Sequence, residues 1–319
     1  MLTYEDINEA HHRIKPFIHN TPILTSTSLN QMIGSQLYFK CENFQKTGSF
    51  KIRGAINAVS QLSKSQLDRG IVTSSSGNHG AAISMAGNKF KSKVKVVMPK
   101  NTPNIKVDNV KRNNGEIIWC EPNQISRDKI LKSVLDETNG VLVHPYNDER
   151  VMAGQGTIAK ELLKKIPELD VVIAPVSGGG LLSGIISTVK AINKKIKVFG
   201  AEPLEADDTY RSLIAGEIQS NETTNTVCDG LRAQIGTLTF PIISRSVDGI
   251  ITLREKEIIS ALKIIMETMK IIVEPSCSIT LAAILKRKDI FFGKKVGLIL
   301  TGGNIDLLSL SNLFDTNNG

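Results

Sequence analysis

Residues 171–189, VVIAPVSGGGLLSGIISTV, carry no charge. An uncharged run of that length approaches what a membrane-spanning helix needs. Pro175, Gly178, Gly179, Gly180 and Gly184 interrupt it, so it does not read as one helix. It reads as a buried strand over 171–176, a glycine turn and a buried helix. A strand apolar on both faces needs helices above and below its sheet. This stretch therefore commits the chain to parallel βαβ architecture.

The rest of the chain follows the same rhythm. Val- and Ile-rich runs at 94–98, 141–144, 198–201 and 296–300 predict strands. Amphipathic stretches at 126–138, 157–165 and 255–268 predict helices between them. With 319 residues, 41% hydrophobic and 22% charged, the chain is long enough for two lobes. The net charge of +8 is spread over small groups such as 194–197 and 286–288, and aromatics make up only 5%. That distribution suits solvated faces better than a nucleic-acid surface, and a basic nucleic-acid-binding α/β protein is kept as the non-enzymatic alternative. Cys41, Cys120, Cys228 and Cys277 form no CxxC pair and lie near no histidine at zinc-ligand spacing. They read as reduced thiols of a cytoplasmic protein. The start, MLTYEDINEA, is acidic and polar, unlike a signal peptide.

Three polar, glycine-rich turns each follow a strand and precede a helix: SSSGNHG (74–80), SGGGLLSG (177–184) and TGGNID (301–306). Ligands of open α/β sheets bind beyond the carboxyl ends of the strands, so the three turns predict one shared pocket. In the second, Ser177 can cap the next helix, and backbone amides at a helix N-terminus suit a phosphate. Ile185 breaks the P-loop pattern, and Gly184 falls one place late for a dinucleotide fingerprint. Glu202 does stand where a ribose-binding acid would be. A phosphate site and a purely structural turn are both open. In SSSGNHG, hydroxyls and amides lead into a helix predicted to start near His79, which can hold a carboxylate. His79 alone fits a packed residue as well as a catalytic one. Thr301 offers a hydroxyl at a strand end. The loop AEPLEADD (201–208) reads either as a solvated acidic loop or as oxygen ligands for Mg²⁺, Mn²⁺ or Ca²⁺.

One lysine is oddly placed. In NFQKTGSFKIRG (43–54), Lys51 follows a glycine-led turn and sits between Phe50 and Ile52. It is either a surface lysine at a helix start or an amine carried inward. A lysine that condenses with an aldehyde must lose its proton, which burial and nearby positive charge promote. Phe50, Ile52 and Arg53 are expected to supply both. A lysine and a phosphate cradle without a nucleotide pattern point to pyridoxal phosphate (PLP).

KTGSFKIRGA, SSGNHG, GQGTIA, SGGGLLSG, AEP with ADD, and TGGN occur in that order. Together they resemble the serine racemase and serine/threonine dehydratase family of PLP enzymes, of the tryptophan-synthase-β-like fold (fold type II). The resemblance runs from about Tyr4 to Asp306. It implies two open parallel-sheet α/β domains with helices on both faces and PLP in the cleft between them. Residues 1–69 and 149–319 would form the large PLP-binding domain and 70–148 the small substrate-binding domain, with no C-terminal regulatory domain.

The resemblance also implies roles. Lys51 would carry PLP and Phe50 would pack on its ring. Asn78 would bond the 3-hydroxyl oxygen. Ser177, Gly178, Gly179, Gly180 and Leu181 would hold the phosphate, and Thr301 would face the pyridine nitrogen. Ser75, Ser76, Gly77, Asn78 and His79 would bind the substrate carboxylate, with Ser76 a second acid/base group opposite Lys51. Glu202, Ala206 and Asp208 would hold a divalent cation. The implied activity is deamination of L-serine or L-threonine by β-elimination of water, giving a 2-oxo acid and ammonia, with serine racemisation possible beside it. Ser76 stands where threonine-specialised dehydratases commonly have alanine. A serine racemase first and foremost, a 3-hydroxyaspartate ammonia-lyase and a cysteine-synthase-like β-replacement enzyme are the alternatives. Tyr146 departs from the asparagine of animal serine racemases. The family implies a cytoplasmic homodimer acting on a small amino acid, with no membrane or nucleic-acid partner.

Overall fold

The computed structural model describes residues 2–75 and 77–315. Among the described residues ten strands alternate with helices. They are β1 (Ile23–Leu24), β2 (Gln36–Cys41), β3 (Ile71–Ser74), β4 (Val94–Pro99), β5 (Glu116–Cys120) and β6 (Val141–Leu142). Then come β7 (Val171–Pro175), β8 (Lys197–Pro203), β9 (Gly249–Leu253) and β10 (Lys295–Leu300).

They form two sheets. A six-stranded sheet has the order β1-β2-β10-β7-β8-β9 and a four-stranded sheet the order β5-β4-β3-β6. Every pairing is parallel except β1 with β2. The four-stranded sheet is continuous in sequence, and the six-stranded sheet is built from the chain on either side of it. The α/β architecture with helices on both faces is therefore as the strand–helix rhythm predicts.

The central strands are buried throughout. All five residues of β7 are inaccessible, as are nearly all of β8 and β10. The helix Pro275–Lys286 is likewise buried from Pro275 to Ile284, as expected of a helix apolar on all sides and packed between other elements. The carboxyl ends of β3 in one sheet and of β7 and β10 in the other face a shared cavity, where their turns meet.

Local details correct three expectations. β6 is two residues long rather than four: Pro145 lies just beyond it, and only the Val143 N–H continues the ladder, donating to Val72 at 3.0 Å. The helix expected over 157–165 begins at Glu149, because the Asp148 carboxylate accepts from the Arg150 N–H and caps it. Ser177 does not cap the helix Gly180–Ile192; Gly179 occupies that position with a φ of +87°.

Candidate active site

The site is a cavity of ≈ 750 Å³ between the two sheets, lined by all three glycine-rich turns. The stretch 43–54 enters it through strain and pairing. Thr47 takes a left-handed φ of +60°. The reversal lets Ser49 bridge to Gly302 and the Phe50 N–H donate to the Thr301 carbonyl at 3.0 Å. Phe50 is thereby pinned to the end of β10, and Lys51 opens the helix Lys51–Val59.

The Lys51 ammonium donates to the Pro145 carbonyl at 2.9 Å and lies 5.3 Å from the centre of the Phe50 ring. Burial pulls its pKa down to about 8, against the charge of Glu274, which raises it. Arg53 has no part in this. Its guanidinium is enclosed by Glu42, at 2.7 Å, and Glu161, at 2.8 Å, which neutralise it. The expected cationic neighbour is thus replaced by desolvation alone.

The glycine turn presents unused donors. Among the described residues, none of the N–H groups of Gly178, Gly179, Gly180 and Leu181 donates within the chain. Helix starts leave such groups over, and here they face the cavity. The Ser177 hydroxyl instead holds the neighbouring loop, donating to the Ala233 carbonyl and accepting from its N–H at 2.9 Å. Tyr146 lies on the turn: a Cβ on Gly178 would come within 2.4 Å of its ring. The phosphate of PLP fits this cradle, and an aldehyde fits beside Lys51.

The turn after β3 is bound from within. The Ser75 hydroxyl oxygen accepts from the N–H groups of Gly77 at 3.1 Å and Gly80 at 3.0 Å. The helix starts at Asn78, one residue before the expected His79. His79 is buried and shares a 3.3 Å contact through Nε2 with the Val143 carbonyl. Burial and the nearby Lys51 charge hold its pKa well below the usual histidine range, so it is neutral. His144, lowered to about 4 by burial, accepts at Nδ1 from the Asn147 N–H at 2.9 Å. Asn78 donates to Glu274 at 2.8 Å and accepts from Asn304 at 2.9 Å. Thr301 lines the cavity at the end of β10. Ser76 lies outside the described residues.

The acidic loop divides. Glu205 is exposed and Asp207 pairs with Arg211 at 2.7 Å. Glu202 and Asp208 are fully buried, and Ala206 nearly so. Glu202 accepts from the N–H groups of Thr209 at 3.2 Å and Tyr210 at 3.0 Å. Asp208 accepts from Asn221 and from the Ile235 N–H, each at 2.6 Å. Burial raises both pKa values, and for Glu202 the charge of Asp208 adds to it. Two buried carboxylates that repel one another suit a divalent cation. Among the described residues no three His, Cys, Asp or Glu side chains are grouped to hold a metal, so a carbonyl would have to complete the protein ligands.

Sequence reasoning missed Lys106, Asp229, Glu274 and Tyr146 as members of the cavity wall. None lies in a glycine-rich turn, and only the fold brings them there.

Comparison with known proteins gives the family. The family model described as "Pyridoxal-phosphate dependent enzyme" matches residues 14–302. A serine racemase of Dictyostelium discoideum is 48% identical, over 98% of this chain and 98% of the relative. A beta-hydroxyaspartate dehydratase of Paracoccus denitrificans is also 48% identical, over 96% of this chain and 97% of the relative. The solved structure of maize serine racemase superposes with a TM-score of 0.94 at 43% identity, covering 99% of this chain and 97% of that one. With the family model spanning most of its length and a buried lysine, a phenylalanine beside it and an amide cradle meeting in one cavity, the chain belongs to the pyridoxal-phosphate-dependent enzymes.

Proposed function

We propose that the chain deaminates 3-hydroxy amino acids such as L-serine and L-threonine by β-elimination of water, giving a 2-oxo acid and ammonia, and racemises serine beside it. The observation that carries this reading is the Lys51 amine, lowered to about 8 and facing the cavity opposite free helix-start amides. When bound, PLP supplies an electron sink for the α-carbon. Lys51 would hold the cofactor and is the amine placed to take the α-proton; a pKa near the working pH suits a group that must both take and return it. Phe50 packs on the ring, Asn78 donates to its 3-oxygen, and Ser177, Gly178, Gly179, Gly180 and Leu181 surround the phosphate. Thr301 faces the ring nitrogen with a hydroxyl, which does not hold a proton there as a carboxylate would. Ser75, Gly77, Asn78 and His79 shape the seat of the substrate carboxylate. Ser76 is assigned the proton on the face opposite Lys51, from its place in the same turn.

The division into a large domain (1–69 and 149–319) and a small domain (70–148) is part of the proposal, supported by the two sheets. So is a divalent cation at Glu202, Ala206 and Asp208, supported by the two buried carboxylates. A homodimer is supported by the resemblance and by exposed apolar residues such as Phe44, Ile272 and Leu308. A second reading, 3-hydroxyaspartate as substrate, is favoured by Arg127 and Arg232 in the cavity wall, which suit a second carboxylate.

The test incubates L-serine, L-threonine and 3-hydroxyaspartate with the holoenzyme and quantifies 2-oxo acid and D-serine. The reading expects 2-oxo acid from at least one substrate, and Lys51→Ala without product. Absence of both products from all three substrates would overturn it. Ser76→Ala is expected to remove D-serine formation while elimination continues.

A further inference from the structure

Lys106, on the helix Asn104–Arg112 beside the four-stranded sheet, is only 4% exposed. Its ammonium donates to Asp229 at 2.5 Å and to Glu274 at 3.3 Å. Both carboxylates belong to the chain of the six-stranded sheet. Breaking such a buried group by removing one member is far more disruptive than its net contribution suggests, since an uncompensated charge stays behind.

The same network reaches the cavity. The other oxygen of Glu274 accepts from the Asn78 amide at 2.8 Å. The Asn78 carbonyl oxygen accepts from Asn304 at 2.9 Å, and Asn304 also donates to the Thr47 carbonyl at 2.8 Å. Asn109 donates to Asn304 at 3.1 Å. One polar chain thus runs Asp229–Lys106–Glu274–Asn78–Asn304–Asn109. Lys106, Asn78 and Asn109 come from the four-stranded side and the others from the six-stranded side, so every link crosses the cleft.

Two glycines make way for these side chains. A Cβ on Gly77 would lie 2.3 Å from the Lys106 side chain, and one on Gly302 would lie 2.1 Å from the Glu274 carboxylate. Two of the glycine-rich turns are bare where the clasp crosses them.

We infer that Lys106 and Glu274 are positioning residues: their ion pair draws the helix Asn104–Arg112 and the Asn78 turn onto the six-stranded side and fixes which way the Asn78 amide points. With its oxygen taken by Asn304 and one N–H by Glu274, Asn78 presents its second N–H to an acceptor in the cavity. That acceptor would be the cofactor 3-oxygen, so the inference rests on the proposed cofactor site for this last link only.

The test compares the wild-type holoenzyme with Lys106→Met, Lys106→Arg, Glu274→Gln and the Lys106→Met/Glu274→Gln pair. Lys106→Met is expected to keep one PLP per chain, to shift the visible band and to lower kcat by up to about 100-fold, the scale of a small misplacement of a reacting group. Lys106→Arg is expected to recover part of both, and the pair to lose less than the sum of the single changes. Wild-type spectrum and kcat in Lys106→Met, or fully additive losses, would overturn the inference. If Lys106→Met does not fold, Glu274→Gln, which keeps the side-chain shape, carries the same expectation and the same contradiction. A wild-type protein with no visible band would overturn the cofactor reading, and the clasp is then decided by amide hydrogen exchange. Exchange across 104–112 at least tenfold faster in Lys106→Met supports it, and unchanged exchange rejects it.

Discussion

At the scale of single residues, the proposed chemistry turns on the amine of Lys51. An ordinary lysine loses its proton around pH 10.5, whereas burial brings this one to about 8. In cofactor-free protein, the rate at which the visible band returns on adding PLP should therefore rise with pH and level off just above 8. A rate still climbing towards 10.5 contradicts this. The sign for stability follows from the same shift. The unfolded chain keeps the proton between about 8 and 10.5 while the folded chain has lost it. Burying Lys51 thus costs stability in full below 8, and the cost fades as pH rises through that window. Lys51 was legible because its cues are motifs readable in the sequence itself: a turn and two apolar neighbours beside it, and the glycine loop at 177–184. The neutralisation of Arg53 was not, since Glu161 lies more than a hundred residues away in sequence and meets it only through the fold. Glu274 and Lys106 were hidden for the same reason.

Among elements, the segment bearing Lys51 stands on a buried charge cluster. Arg53 joins Glu42 and Glu161, and Lys40 bonds Glu161 at 2.6 Å. These four residues tie together β2, the turn after it, the helix Lys51–Val59 and the helix Glu149–Lys165. Arg53→Met leaves two buried carboxylates facing one lysine and should cost about 3–5 kcal/mol in urea unfolding. A loss under about 1 kcal/mol would mean that the cluster does not anchor this segment. Strand and helix alternation was readable because parallel strands buried on both faces give unbroken apolar runs. Strand order was not, because β2 pairs with β10 across most of the chain and no local pattern records that. β1, two residues long and antiparallel, gives no periodic signal at all.

For the whole molecule, the two sheets and the acidic loop bear on stability together. The cation proposed at Glu202, Ala206 and Asp208 would bind the folded chain only. An ion present at 100 times its Kd adds about 2.7 kcal/mol. A chelator should therefore lower Tm and the rate of deamination together, and Mg²⁺, Mn²⁺ or Ca²⁺ should restore both. Unchanged Tm and activity after verified metal removal would contradict the site. Among the described residues no helix is long and apolar enough to cross a membrane, in line with the reading of 171–189 as strand, turn and helix. That reading was secure because proline and glycine punctuate the run. The acidic loop was half legible: its composition pointed to oxygen ligands, but only burial separates Glu202 and Asp208 from Glu205 and Asp207.

Lys51 is proposed as the residue that carries the cofactor. Borohydride reduction of the holoenzyme followed by trypsin and mass spectrometry tests it directly. Trypsin cuts after Lys46 and Arg53 but not after a modified Lys51. A pyridoxyl group is expected on the peptide 47–53, and none in Lys51→Ala. A pyridoxyl group on another lysine, or none in a protein that still forms 2-oxo acid, would contradict it.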